Sequence, residues 1–149
     1  MHSLDTPRRA LDDRLAAWRE LEPAGPARGW IRAIRESLGM TRDELAQRLG
    51  VTRQRVFAIE AAEADGALKL DTLRRAAEAL DCTLVYALVP KESLQSAVER
   101  RAREVAERHV ERAGHTMLLE GQLGAAGDRE RLVEELTEQL ARSRGLWRD

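Results

Sequence analysis

Cysteine is nearly absent: Cys82 is the one thiol in 149 residues. An intrachain disulfide is therefore excluded, and a reducing compartment suits the chain. Aromatic side chains make up only 3% of the residues. A core must then come from Ala, Leu, Ile and Val, which favours an all-helical protein with small, closely packed interfaces. No apolar run approaches the ~20 residues that span a bilayer. The N-terminus is polar and charged, unlike a signal peptide, so a cytoplasmic location without membrane contact is expected. His2, His109 and His115 lack ligand spacing and Cys82 has no partner, so no metal is expected. Neither a Gly-rich phosphate loop nor a nucleophile elbow is present. No cofactor and no enzymatic activity are expected.

Net charge is also small, at −1, yet its distribution is uneven. Between Arg28 and Glu60 stand seven arginines against four acids, a local surplus of +3. That surplus has the form of an electrostatic footprint for nucleic acid. Its modest size predicts salt-sensitive binding that depends on dimerisation.

Within this basic stretch, residues 41–60 read TRDELAQRLGVTRQRVFAIE. Thr41 and Glu44 have the spacing of a capping box. Leu45, Ala46 and Leu49 share one helical face, and Gly50 sits where a left-handed residue ends a helix. Thr52 caps again, and Val56 with Ile59 forms the inward stripe of a second helix. The pattern is a helix-turn-helix whose second helix would enter a DNA major groove. Arg53, Gln54, Phe57 and Ala58 then point outward, with Arg55 on a flank. Arg can donate twice to guanine, and Gln can pair with adenine in the same two-pronged way. Arg42 and Thr52 begin their helices, where phosphate oxygens are favoured. Phe57 offers an apolar surface to a thymine methyl or a sugar.

From about Trp30 to Leu80 the chain resembles the phage-repressor, or Xre-like, helix-turn-helix proteins. The resemblance implies that Arg53 and Gln54 are base readers and that Arg42 contacts phosphate. Ala58 falls at a third reading position but has no hydrogen-bonding group, so any contact there is apolar. Arg35 and Glu60 match an ion pair that ties the first helix of the domain to the third, a structural role.

Three segments are expected. Residues 1–28 comprise an amphipathic helix, opened by Thr6-Pro7 and carrying Leu11, Leu15, Trp18 and Leu21, followed by a Pro/Gly linker. Residues 29–90 form the DNA-binding domain, with Ala61 to Lys69 as a loop before a closing helix. Residues 83–89, TLVYALV, are β-prone and stopped by Pro90. They suggest a strand paired with its copy across a two-fold axis, the alternative being a buried helical extension. Residues 91–149 form a helical tail. Its first helix is capped by Ser93 and ended by Gly114, and its last is capped by Asp128. The interleaved Glu and Arg of the first are pairs three and four apart on a solvated face. The fold class expected is therefore all-α, with a short C-terminal β-strand on the head and an appended helical tail.

Between the two tail helices, Thr116 to Gly121 fits the pattern Ser/Thr-x-x-x-Glu-Gly/Asn. That pattern resembles the inhibitory motif of antitoxins that silence Fic-domain adenylyltransferases. The strings GWIRAIRESLGMT, LRRAAEALDCTLVYALVP and HTMLLE resemble the mobile mystery protein A family, whose members are typically encoded beside a Fic-domain protein. The resemblance implies that Glu120, positioned by Thr116 and followed by Gly121, pairs with the Fic arginine that otherwise holds the ATP γ-phosphate. A bland alternative makes the same segment a turn between packed helices. The expected function is a dimeric repressor binding a double-stranded operator and serving as antitoxin of a Fic-domain toxin. The alternative is a plain dimeric Xre-like regulator whose tail only mediates oligomerisation.

Overall fold

The computed structural model describes residues 4–22, 24–119 and 126–148, with only the backbone given for 116–119 and 126. Seven α-helices are present among the described residues. They are α1 (Asp5–Ala16), α2 (Trp30–Ser37), α3 (Arg42–Leu49), α4 (Arg53–Ala64), α5 (Leu70–Ala79), α6 (Leu94–Leu119) and α7 (Ala126–Arg142), with a 3-10 turn at Ala17–Glu20. The chain divides into two compact units, Glu22–Ala87 and a second made of Met1–Leu21 with Leu88–Asp149.

The first unit holds α2 to α5 around Ile31, Leu45, Ala46, Val56, Ile59, Ala76 and Leu80, all buried. Leu45 and Val56 are fully enclosed. Burying side chains of this size contributes about 1.5–3 kcal/mol each, which makes them the hydrophobic centre of the unit. Thr41 builds the capping box: its hydroxyl accepts from the Glu44 amide, and its own amide donates to the Glu44 carboxylate at 2.7 Å. Gly50 adopts φ 67°, and Val51 N–H closes onto the Ala46 carbonyl at 3.0 Å. This left-handed ending turns the chain sharply into α4, whose Thr52 hydroxyl accepts from the Arg55 amide.

The second unit is built on α1, α6 and α7. Ala106, Val110 and Val133 form its centre, flanked by Leu136 and Leu140. Asp12 of α1 accepts from the Leu94 and Gln95 amides at 2.7 and 3.1 Å and so caps α6 from another helix. The Ser93 hydroxyl accepts from the Ser96 amide and caps the same end. Part of the tail's charge run links helices, since Arg103 reaches Glu130 and Arg129 reaches Glu111. The remainder pairs along α6, as Arg100 does with Glu104.

Five expectations need correction. No strand occurs among the described residues, and 83–89 is irregular, with Val85, Tyr86 and Leu88 exposed. A β-prone run gains no ladder without a second strand to bond its amides and carbonyls, and none lies within the described chain. The all-α class stands without the β-strand. Helix α4 continues through Ala61 to Ala64, because these alanines favour helix until Gly66 takes φ 70°. Helix α6 passes through Gly114, whose helix penalty of about 1 kcal/mol is small against a helix of 26 residues. Helix α1 starts at Asp5 with no side-chain cap from Thr6, and Pro7 still lies in its first turn, where its missing N–H matters little. The Asp128 position lies inside α7, which begins at Ala126.

Candidate nucleic-acid interface

Helix α4 turns Val56 and Ile59 into the core and leaves Arg53, Gln54, Arg55, Phe57 and Ala58 exposed. Among the described residues Arg53 has one ionic neighbour, Asp43, at 3.7 Å, and both side chains are about two-thirds exposed. A pair so open and so long contributes little, so Arg53 is free to exchange it for another acceptor. The helix N-terminus behind these side chains presents unpaired amides and positive dipole to an anion.

Behind this surface lies an ionic cluster centred on Glu60. The Arg35 Nε donates to Glu60 Oε1 at 2.5 Å, and Arg35 Nη1 donates to the Met40 carbonyl at 2.8 Å. Arg42 Nε donates to Glu60 Oε2 at 2.9 Å. Glu60 is only 4% exposed, so one buried carboxylate is shared by two arginines. The pair joins α2 to α4, while Arg42 adds α3. The Arg42 guanidinium also lies 5.3 Å from the centre of the Phe57 ring, a cation–π arrangement that holds it beside the exposed helix face. Arg42 is thus oriented by internal partners and half-buried, unlike Arg53.

The Glu44 carboxyl is held below the ordinary carboxylate range by the Thr41 amide and then the Thr41 hydroxyl, which favour its charged form. Glu36 is lowered mainly by its hydrogen bond from Arg32. Among the described residues no cluster of three or more His, Cys, Asp and Glu is arranged to hold a metal. No described helix is long and apolar enough to cross a membrane.

Residues 31–86 match the family model described as helix-turn-helix. This segment is an Xre-like helix-turn-helix domain. The match covers less than half of the chain and ends before the tail. No curated protein and no solved structure matches the chain.

Several side chains that shape the helix-turn-helix domain were not visible in the sequence pattern. Glu63, at the far end of α4, accepts from the Trp30 and Ile31 amides at 2.9 Å each and caps α2. Its sequence distance of more than thirty residues from the helix it caps leaves no local signature. Arg28 and Arg32 border the same side of the domain as Arg42; only the local excess of arginine hinted at them. In the tail, Thr116 falls within α6, whereas Glu120 and Gly121 lie outside the described residues.

Proposed function

We propose that this chain is a sequence-specific transcriptional repressor in which α4 reads the major groove of an operator. The observation that carries the reading is the solvent-facing set Arg53, Gln54 and Arg55 at the start of α4, mounted on a buried Val56–Ile59 stripe. Arg53 and Gln54 address base edges, Arg55 assists from the flank, and Phe57 and Ala58 make apolar contacts. Thr52 and Arg42 address phosphates. Replacing Arg53 with Ala should weaken operator binding by about 1–3 kcal/mol and relax preference at one base pair. Binding selections from a randomised duplex pool measure both effects, and unchanged preference would refute the assignment.

In this reading the repressor is a homodimer, whose two α4 helices address half-sites one helical turn, ~34 Å, apart. The apolar exposed residues Val85, Tyr86 and Leu88 favour self-association. Sedimentation of the full chain tests it.

The tail is assigned a second role, restraint of a Fic-domain adenylyltransferase. Its support is the sequence Thr116-x-x-x-Glu120-Gly121 and the resemblance that accompanies it. Glu120 would occupy the arginine that otherwise receives the ATP γ-phosphate, leaving the α-phosphate misplaced for nucleotidyl transfer. Co-expression with a neighbouring Fic-domain protein should show inhibition by wild type and release by Glu120→Gly. Equal inhibition by the variant would favour the plain dimeric regulator.

A further inference from the structure

We propose that Arg28, Arg32 and Arg42 form a seat for one backbone phosphate of bound DNA, alongside the base-reading end of α4. This rests on the DNA-binding reading above and adds two residues to it, Arg28 and Arg32. Arg28, Arg32 and Arg42 line a cavity of ≈ 200 Å³ together with Phe57. Glu60, Ala61 and Ala64 of α4 complete its lining. Phe57, Ala61 and Ala64 are spaced four and three apart on α4, so they lie along one face of the helix. The alanine methyls leave open the volume that longer side chains would fill.

The charges favour an anion. Arg28, Arg32, Arg42 and the adjacent Arg35 stand against Glu36, Glu60 and Glu63, leaving a local surplus of one positive charge, and the Glu63 carboxylate is already held by the Trp30 and Ile31 amides. Glu60 does not oppose an incoming anion strongly, because both of its oxygens already accept from arginine. Arg42 uses its Nε on Glu60 and keeps its terminal nitrogens for another acceptor. The Phe57 ring, with its centre 5.3 Å from the guanidinium carbon, helps to hold the group at this face. Arg32 is engaged by Glu36 through Nε at 2.8 Å, in a pair with exposed Glu36 that is easily shared. Arg28 forms no salt bridge among the described residues. Forked guanidinium donors from the start of α2 and the start of α3 suit a tetrahedral phosphate better than a planar carboxylate.

DNA is favoured as the source of that phosphate by position. Phe57 stands one helical turn after Arg53 on the same side of α4, so the cavity continues the base-reading surface. A duplex strand engaged by Arg53 would carry its backbone along this face.

Arg28→Gln and Arg32→Gln are the test, measured with a duplex selected by the wild-type protein and with a scrambled duplex of equal length. Each variant should bind both duplexes roughly five-fold more weakly at 0.15 M salt, with the slope of log affinity against log salt flattened by about 0.9. Base preference should be unchanged, in contrast to Arg53→Ala. Unchanged slopes in both variants, with wild-type DNA binding intact, would overturn the phosphate seat and leave base reading standing. Wild-type failure to bind any duplex would overturn both. Side-chain Nε signals of Arg28 and Arg32 that shift with inorganic phosphate as strongly as with duplex would mark a free-phosphate site and refute the DNA assignment. Equal thermal unfolding of variants and wild type ensures that the fold is not the variable.

Discussion

Glu60 is shared between two arginines, and the consequences of removing each partner differ. Glu60→Ala leaves the buried Arg35 cation with only the Met40 carbonyl and a distant contact to Glu36. Breaking a buried pair from one side typically costs about 3–5 kcal/mol, so urea unfolding should show a loss of that order. Arg35→Met combined with Glu60→Leu should recover much of it, because no orphaned charge remains. Arg42→Ala should cost far less stability, since Arg35 still satisfies the carboxylate. If the proposed phosphate role is right, its effect should instead appear in DNA binding, as uniform weakening and a flatter salt slope. At this scale the outward set on α4 could be read from Val56 and Ile59, because helical period fixes what stands opposite. The attachment of Arg42 to Glu60 and Phe57 could not, since it joins different helices.

Some helix ends in this protein are finished by neighbouring side chains and others by side chains borrowed from elsewhere in the chain. The α3 capping box is local and legible: Thr41 and Glu44 stand three apart. The α2 cap is not, because Glu63 arrives from the far end of α4. Gly29 makes room for it, with φ 84° and a would-be Cβ only 2.7 Å from the Glu63 carboxylate. Glu63→Ala should destabilise the helix-turn-helix domain by about 1 kcal/mol, as the loss of a helix cap does. Gly29→Ala should be worse, combining the unfavourable backbone with displacement of the cap, and thermal melting ranks the two. Asp12 plays the matching role for α6. Burial pushes its carboxyl upward, but the Leu94 and Gln95 amides and Arg19 outweigh that and hold it below the ordinary value. Its folded-state affinity for protons is thus lower than in the unfolded chain. The stabilisation it gives is complete above the unfolded pKa of about 3.9 and is lost as pH falls through the lower folded value. Comparing acid unfolding of wild type with Asp12→Asn should show a steeper loss below about pH 4 in wild type. The 83–89 run illustrates the opposite case, in which β-propensity was plain but the partner that would make it a strand was not in the described chain.

At the scale of the molecule, Met1–Leu21 belongs with the tail rather than with the segment that follows it. Amphipathic spacing predicted the helix α1, but none of its residues is fully buried and Leu11 and Leu21 of the expected stripe are exposed, and spacing does not reveal which surface the helix meets. The structure answers through Asp12 on the α6 amides and Arg8, which donates to Gln95 and to the Ala141 carbonyl. Deleting residues 1–21 should therefore lower the melting temperature of the tail while leaving that of the helix-turn-helix domain nearly unchanged. Calorimetry of the full chain should resolve two transitions, one per core, rather than a single cooperative one. A single transition shifted as a whole by the deletion would contradict this.

Because the unit from Glu22 to Ala87 is inserted into the sequence of the other, it is leashed at both ends to one body. A protease that nicks either connection alone would leave the pieces associated through α1, so a sizing column would still show one species. Only cleavage at both crossings would liberate the helix-turn-helix domain from the tail.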